Sequence, residues 1–462
     1  MALALKSESM NSRLPIPLEG SHIMMLYREK NVWSAIGLGI LLSGCSSIHI
    51  SNDDLSVEPP TSDRYEYKSF NKEENDINVV LAFSGGGTRA AALSYGVLKG
   101  LRDQTIVVNG KTKRLLDEVD VISGVSGGSF TAAYYGLYGD KTFEQYESDF
   151  LYHQVSSDLK SIILSPIHWF NGKSRTQEAI DYYNSTIFDD KNFSDIDKST
   201  SPYILINASD LSTGVRFSFT QHYFDLICSD IEDYSIASAV TASSAVPFLF
   251  NPVVLKNHDS CDSVSIDDGL FDLNAYRDRN TLTTVEQYQN KDKHKYLHLV
   301  DGGITDNLGL VAIYEVAEYI RLQDTRSFKE DISADNKPLI VISVDASTKP
   351  ELGISAVPDS PSLSQTANSI TDIQLHRYNE TTKDLIVESI PVWTKRNDGP
   401  QSSNVFVEVS FLQTEDPELR YRFNQIRTDL TLEPQDVDIL IEEGYRQISN
   451  NQALLKLIGS LE

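Results

Sequence analysis

Short apolar runs separated by glycine-rich or polar breaks recur along the chain from residue 77 onward. Ile77 to Phe83 (INVVLAF), rich in Val and Ile, and Val119 to Ile122, Tyr203 to Ser209 (YILINAS), Arg216 to Thr220, Tyr296 to Asp301 (YLHLVD) and Leu339 to Ala346 (LIVISVDA) read as strands. Helical periods lie between them. Leu93, Val97, Leu98 and Leu101 fall on one face of a segment that Thr88 is placed to cap. TAAYYGLYG follows the second strand, LVAIYEVAEYIRL spans 310–322, and amphipathic helix closes the chain over 435–458. Strand, tight turn and helix occur twice in succession, and this alternation predicts an α/β fold with an open sheet covered by helices.

The first 76 residues lack that pattern. VWSAIGLGILL at 32–42 is preceded by Arg28 and Lys30 and followed by Ser43 and Gly44, the layout of a signal peptide. It is about half the ~20 apolar residues that a membrane span needs. Met24 or Met25 is a more natural start than Met1. Residues 1–44 are therefore expected to be leader and signal peptide, 45–76 a polar tether, and 77–462 one catalytic domain, with a polar, acidic surface insertion over 257–295.

Composition narrows the function classes. With 462 residues and 40% hydrophobic content the chain can bury a large core, so disorder as a whole is excluded. Lys and Arg total 40 against 66 Asp and Glu, giving −26, and no basic footprint for nucleic acid exists. Three cysteines exclude a disulfide-dense scaffold, and no Cys/His cluster has zinc-site spacing. Cys228 and Cys261 are either bridged or two partly buried thiols, a choice that sequence leaves open.

Three turns carry the chemistry. Ser84-Gly85-Gly86-Gly87-Thr88-Arg89 follows a strand and opens a helix, so its amides can converge on an anion. It lacks the Gly-Lys-Ser/Thr ending of a nucleotide loop and the spacing of a dinucleotide site, since position 90 is Ala. A candidate oxyanion hole remains. Gly124, Ser126 and Gly128 satisfy Gly-x-Ser-x-Gly between strand and helix, the setting that exposes a nucleophilic hydroxyl on a sharp bend. Serine needs a base. Asp301 ends a strand, and Gly302 and Gly303 allow its carboxylate a close approach; burial must raise its proton affinity for it to serve. Asp268-Gly269 lacks the second glycine and the strand. A rival triad places Asp345 and His376 behind Ser126, although TDIQLHRYNE reads as a helix surface; His298 reads as a packed or supporting residue. IILSPIHWF (162–170) and AVPFLFNPVVL (245–255) are candidates for the rim of an apolar cleft.

FSGGGTRAAALSYGVLKGL, SGVSGGS and HLVDGGITDNLG, in that order, resemble the patatin-like phospholipases. NASDLSTG, ASSAVPFLFNPV and VDILIEEGYRQI resemble further family segments, so the likeness covers about 77–455. The resemblance implies a three-layer α/β/α sandwich with a mostly parallel central sheet. It implies Ser126 as nucleophile, Asp301 as its partner, the amides of Gly85, Gly86 and Gly87 as oxyanion hole, Arg89 as a frequent basic position, and no metal or organic cofactor. Phospholipid or lysophospholipid esters are the implied substrates. Leu42-Ser43-Gly44-Cys45 resembles the lipobox of bacterial lipoproteins, which implies lipidation of Cys45 and a membrane surface as partner; Ser46 favours the outer membrane by resemblance to enteric lipoproteins.

Overall fold

The computed structural model describes residues 50–55, 64–70, 75–108, 110–164, 173–247, 249–261, 282–283, 286–326, 337–349, 354, 358–394 and 404–461. Cys45 and the leader lie outside the described residues, as do Asp268, Gly269, His168 and most of the candidate rim segment 162–170.

Ten strands are named in chain order: β1 (Asn78–Phe83), β2 (Thr105–Val108), β3 (Lys111–Arg114), β4 (Val119–Val125), β5 (Tyr203–Asp210), β6 (Arg216–Phe219), β7 (Val253–Lys256), β8 (Tyr296–Asp301), β9 (Leu339–Asp345) and β10 (Val405–Ser410). Eight of them form one sheet among the described residues, in the order β10-β9-β1-β4-β5-β8-β7, with β6 pairing β5. The run from β10 to β5 is parallel; β8 pairs antiparallel with β5 and with β7. β2 and β3 make a separate hairpin.

Period-two alternation divides the core between the two faces of this sheet. Val79, Leu81 and Phe83 of β1 and Ile340, Ile342 and Val344 of β9 enter the larger core. Ala82 and Val341, between them, enter a smaller one with Leu310, Ile313, Ile386 and Ile390. The larger core is covered by α1 (Thr88–Asp103), α2 (Gly127–Tyr138), α3 (Ile236–Ser243) and, after further elements, α7 (Pro434–Ser449) and α8 (Gln452–Gly459). The smaller is covered by α5 (Leu310–Arg326) and α6 (Leu363–Trp393), α5 following the one-turn helix α4 (Gly303–Asp306). The result is the expected three-layer sandwich on a mostly parallel sheet.

Helix α1 is buried nearly all round because α7 crosses it at backbone contact. A Cβ on Gly96 would overlap the Ile441 carbonyl, and one on Gly444 would overlap that of Leu93. The sequence period over 435–458 is thus two helices, α7 and α8, broken at Asn450. Thr88 is the first residue of α1 and not its cap: Gly87 takes that place at φ 60°, and the Thr88 amide donates to the Asp429 carbonyl at 2.8 Å.

The expected tether is anchored to the domain at several of its described residues. Ile50 bridges Val254 on β7, Asn52 exchanges hydrogen bonds with Lys256, and Tyr65 is fully buried with its hydroxyl donating to the Ile204 carbonyl at 2.9 Å. The polar composition of 45–76 hides these few anchoring side chains. The described ends of the 257–295 insertion are also packed: Tyr288 is buried and donates to Asp210 at 2.9 Å. Cys228 and Cys261 form a disulfide with Cα atoms 5.5 Å apart. The bridge ties the insertion to the loop whose Cys228 carbonyl accepts from Leu55. Among the described residues no helix is long and apolar enough to cross a membrane.

Candidate active site

Sheet register brings the two distant chemical residues together. Val125, last in β4, lies opposite Asn207 of β5, and the next β5 residue, Ala208, lies opposite Asp301 of β8. Ser126 follows at the carboxyl end of β4, the edge where α/β sheets gather ligand-binding turns. Its hydroxyl donates to Asp301 Oδ2 at 3.0 Å. Ser126 is held at φ 49° and ψ −120°, a conformation that L-residues rarely adopt and that costs about 1–3 kcal/mol.

What over-determines this bend is the end of α3 and the residues just after it. Ser243 Oγ accepts the Ser126 amide at 2.8 Å and donates to the Asn207 carbonyl at 2.6 Å. The Ser243 carbonyl accepts from Gly302 at 3.0 Å and the Ala245 carbonyl from Asp301 at 3.0 Å. One short stretch therefore grips the backbone of both residues. A Cβ on Gly127 would overlap the Gly87 carbonyl, so the serine turn and the glycine loop sit in direct backbone contact. Gly124 and Gly128 are equally confined, by Ser129 and by the Phe83 carbonyl.

The glycine loop divides its roles. The Gly85 amide donates to the Asn307 carbonyl at 2.9 Å, which removes it from the expected set of three free donors. Close packing of α4 and the loop is the cause, since Asn307 Oδ1 also lies where a Gly85 side chain would begin. Gly86, at φ 142°, and Gly87 donate to no acceptor among the described residues. They leave two amides beside the serine.

Asp301 keeps its second oxygen on the Gly303 amide at 2.8 Å, and Gly302 lies against the Asn207 carbonyl. Burial pushes its carboxyl up to about 6; the Gly303 and Ser126 hydrogen bonds oppose that shift without cancelling it. The electrostatic condition for a carboxylate base is met by the site's own packing.

The patatin-like phospholipase family model matches residues 81–313, half of the chain and the stretch that holds all three turns. The chain belongs to the patatin-like phospholipase family. No curated protein sequence matches it significantly. Among solved structures, human GIVD cytosolic phospholipase A2 is similar at 13% identity and a TM-score of 0.41, over 84% of this chain and 63% of that one. The same human protein in complex with methyl gamma-linolenyl fluorophosphonate gives 14% and 0.39, over 84% and 60%. VipD from Legionella pneumophila gives 12% and 0.32, over 84% and 67%. The match thus spans about six-tenths of the length of the human chains.

In this patatin-like chain Arg89 faces the protein. It is buried and donates to the Ala346 carbonyl at 2.9 Å, the Ile426 carbonyl at 2.6 Å and Thr428 Oγ1 at 3.1 Å, and burial lowers its guanidinium to about 10. It braces the glycine loop against the chain's carboxyl-terminal part. The rival triad is not assembled. Asp345 pairs with Lys383 at 2.8 Å, which holds its carboxyl below the usual range, while His376 bonds the Thr348 carbonyl at 3.0 Å. His298 stands three positions from Asp301 on β8, hence on the opposite face. Ser243 and Asn307 were missed by sequence reasoning: a lone serine or asparagine has no period, and only the family-like segments ASSAVP and DNLG that contain them pointed there.

Proposed function

We propose that this patatin-like protein is a serine acyl hydrolase that cleaves carboxylic esters of phospholipids or lysophospholipids with Ser126 and Asp301. The observation that carries the reading is the 3.0 Å hydrogen bond from Ser126 Oγ to Asp301 Oδ2, beside two unengaged glycine amides. Asp301 removes the serine proton as Oγ attacks the ester carbonyl. The Gly86 and Gly87 amides receive the oxyanion, where fixed dipoles act without reorganising. The protonated carboxyl then gives its proton to the leaving alcohol, and the acyl-serine forms. Water, deprotonated by the same carboxylate, attacks the acyl carbon; the fatty acid leaves and Ser126 regains its proton.

Lipidation of Cys45 and residence at a bacterial envelope, at the outer membrane, complete the proposal. The lipobox-like tetrapeptide supports it, and the Cys228–Cys261 bridge suits an oxidising compartment. Hydrolysis of a chromogenic acyl ester by the purified chain tests the chemistry. Ser126→Ala and Asp301→Asn each lower kcat/KM by at least ~10³-fold, and His376→Ala leaves it within twofold. Full activity in Ser126→Ala overturns the reading.

A further inference from the structure

Helix α6 tracks along β9 and then overshoots the sheet. Counting back from its end, Ile390 and Ile386 pack with Val341, Lys383 reaches Asp345, Asn379 donates to Ser347 Oγ at 3.1 Å, and His376 bonds the Thr348 carbonyl. These partners advance along the chain from the middle of β9 past its carboxyl end. That is the edge where Ser126 sits. Residues upstream of His376 therefore project about 20 Å beyond it at 1.5 Å per residue. On this arm Ile370 and Ile373 are 57% and 52% exposed, one helical turn apart on the same side.

The dyad has an exposed apolar border of its own. Ile304 is the third residue after Asp301, and Val246 and Leu249 follow Ala245, whose carbonyl holds the Asp301 amide; all three are exposed. The arm joins this border through Ser347, which accepts from both Asn379 of α6 and Asn307, the residue bonded to Gly85. Charge is distributed to match. The chain carries −26, yet residues 363–378 hold one Asp and one Arg and are neutral overall.

We propose that Ile370 and Ile373, with Val246, Leu249 and Ile304, form one docking surface on which the protein seats itself on a lipid layer of zwitterionic head groups. The inference rests on the lipid-hydrolase reading and extends it to the physical state of the substrate. A projection of no net charge that carries two exposed isoleucines fits an interface whose head groups carry no net charge. The acidic body disfavours an anionic one, within a screening length of ~8–10 Å.

The test uses the full-length chain carrying Cys45→Ala, so that no acyl anchor contributes, and Ser126→Ala, so that vesicles stay intact. Co-sedimentation with phosphatidylcholine vesicles falls at least about tenfold when Ile370→Ser and Ile373→Ser are added, with the thermal midpoint preserved because both side chains are exposed. Partition within twofold of the parent overturns the proposal, as does tighter binding to phosphatidylglycerol vesicles at low salt. So does a parent dimer that the same pair of substitutions dissociates, since a second copy then covers the arm. Hydrolysis of a soluble short-chain ester by the Ser126 protein separates the two readings. Turnover without vesicle binding sinks the docking surface alone, and absent turnover sinks the hydrolase reading.

Discussion

Burial keeps Asp301 protonated up to about pH 6, well above the ordinary carboxylate range, so the role of base proposed for it has a pH threshold. On a soluble ester kcat/KM is expected to rise about tenfold per pH unit below 6 and to level off above it. A limb near pH 4, or one that survives in the residual activity of Asp301→Asn, contradicts the assignment. The same shift bears on stability with a definite sign. The folded state binds the proton more tightly than the unfolded state, so the contribution is present below about pH 4 and lost as pH rises through 6. Asp301→Asn therefore raises stability at pH 8 by about 1–2 kcal/mol, discounted for the residue's partial exposure, and changes little at pH 4. Denaturant titration at the two pH values measures both. Ser243 acts through the backbone it grips. Ser243→Ala is expected to lower kcat about 10- to 100-fold with KM near parental, because a displacement of about 1 Å at the nucleophile is costly. Recovery in Ser243→Thr, which restores the hydroxyl, distinguishes this from a folding defect.

Elements differ in how openly the sequence declares them. YLHLVD is β8 residue for residue, because its short apolar run is buried at Leu297, Leu299 and Val300 and a glycine pair ends it. β7 ends the apolar run 245–255, which has no period to mark it as a strand, and β10 is six residues whose apolar content is too brief to stand out. The 31-residue α6 lacks a continuous apolar stripe, since only its second half is covered. Residues 64–70 read as tether although Tyr65 and Phe70 each fill a core site, as two apolar residues in a polar run carry no period. The Gly96–Gly444 crossing is legible only in three dimensions. It makes α7 part of the core, and Gly444→Val is expected to destabilise the protein by about 1–3 kcal/mol or more, read as a fall in denaturant midpoint with an unchanged slope. A parental midpoint means that the helices stand further apart than the backbone contact implies.

The whole molecule holds its site by joining remote segments. Ser126 and Asp301 are 175 residues apart, yet each lies within a recognisable turn, so their pairing was legible in the sequence and the hydrogen bond between them agrees with it. The clip through Ser243, the occupied Gly85 amide and the inward Arg89 depend on packing, which single-sequence patterns do not encode. The Cys228–Cys261 bridge belongs to this scale as well. It closes a loop of sequence separation 33 and fastens the insertion beside the amino-terminal segment. Cys228→Ser with Cys261→Ser is expected to cost about 2–4 kcal/mol, seen as a lower thermal midpoint, and a reductant should have no further effect on that variant.

The central claim is that Ser126 is a nucleophile activated by Asp301, and peptide mass spectrometry after treatment with a fluorophosphonate probe tests it most directly. One phosphonyl group is expected on the peptide that contains Ser126, formed in step with loss of turnover and at least about 100-fold more slowly in Asp301→Asn. Label on a different residue, or equal labelling of Ser126 without the aspartate, contradicts it.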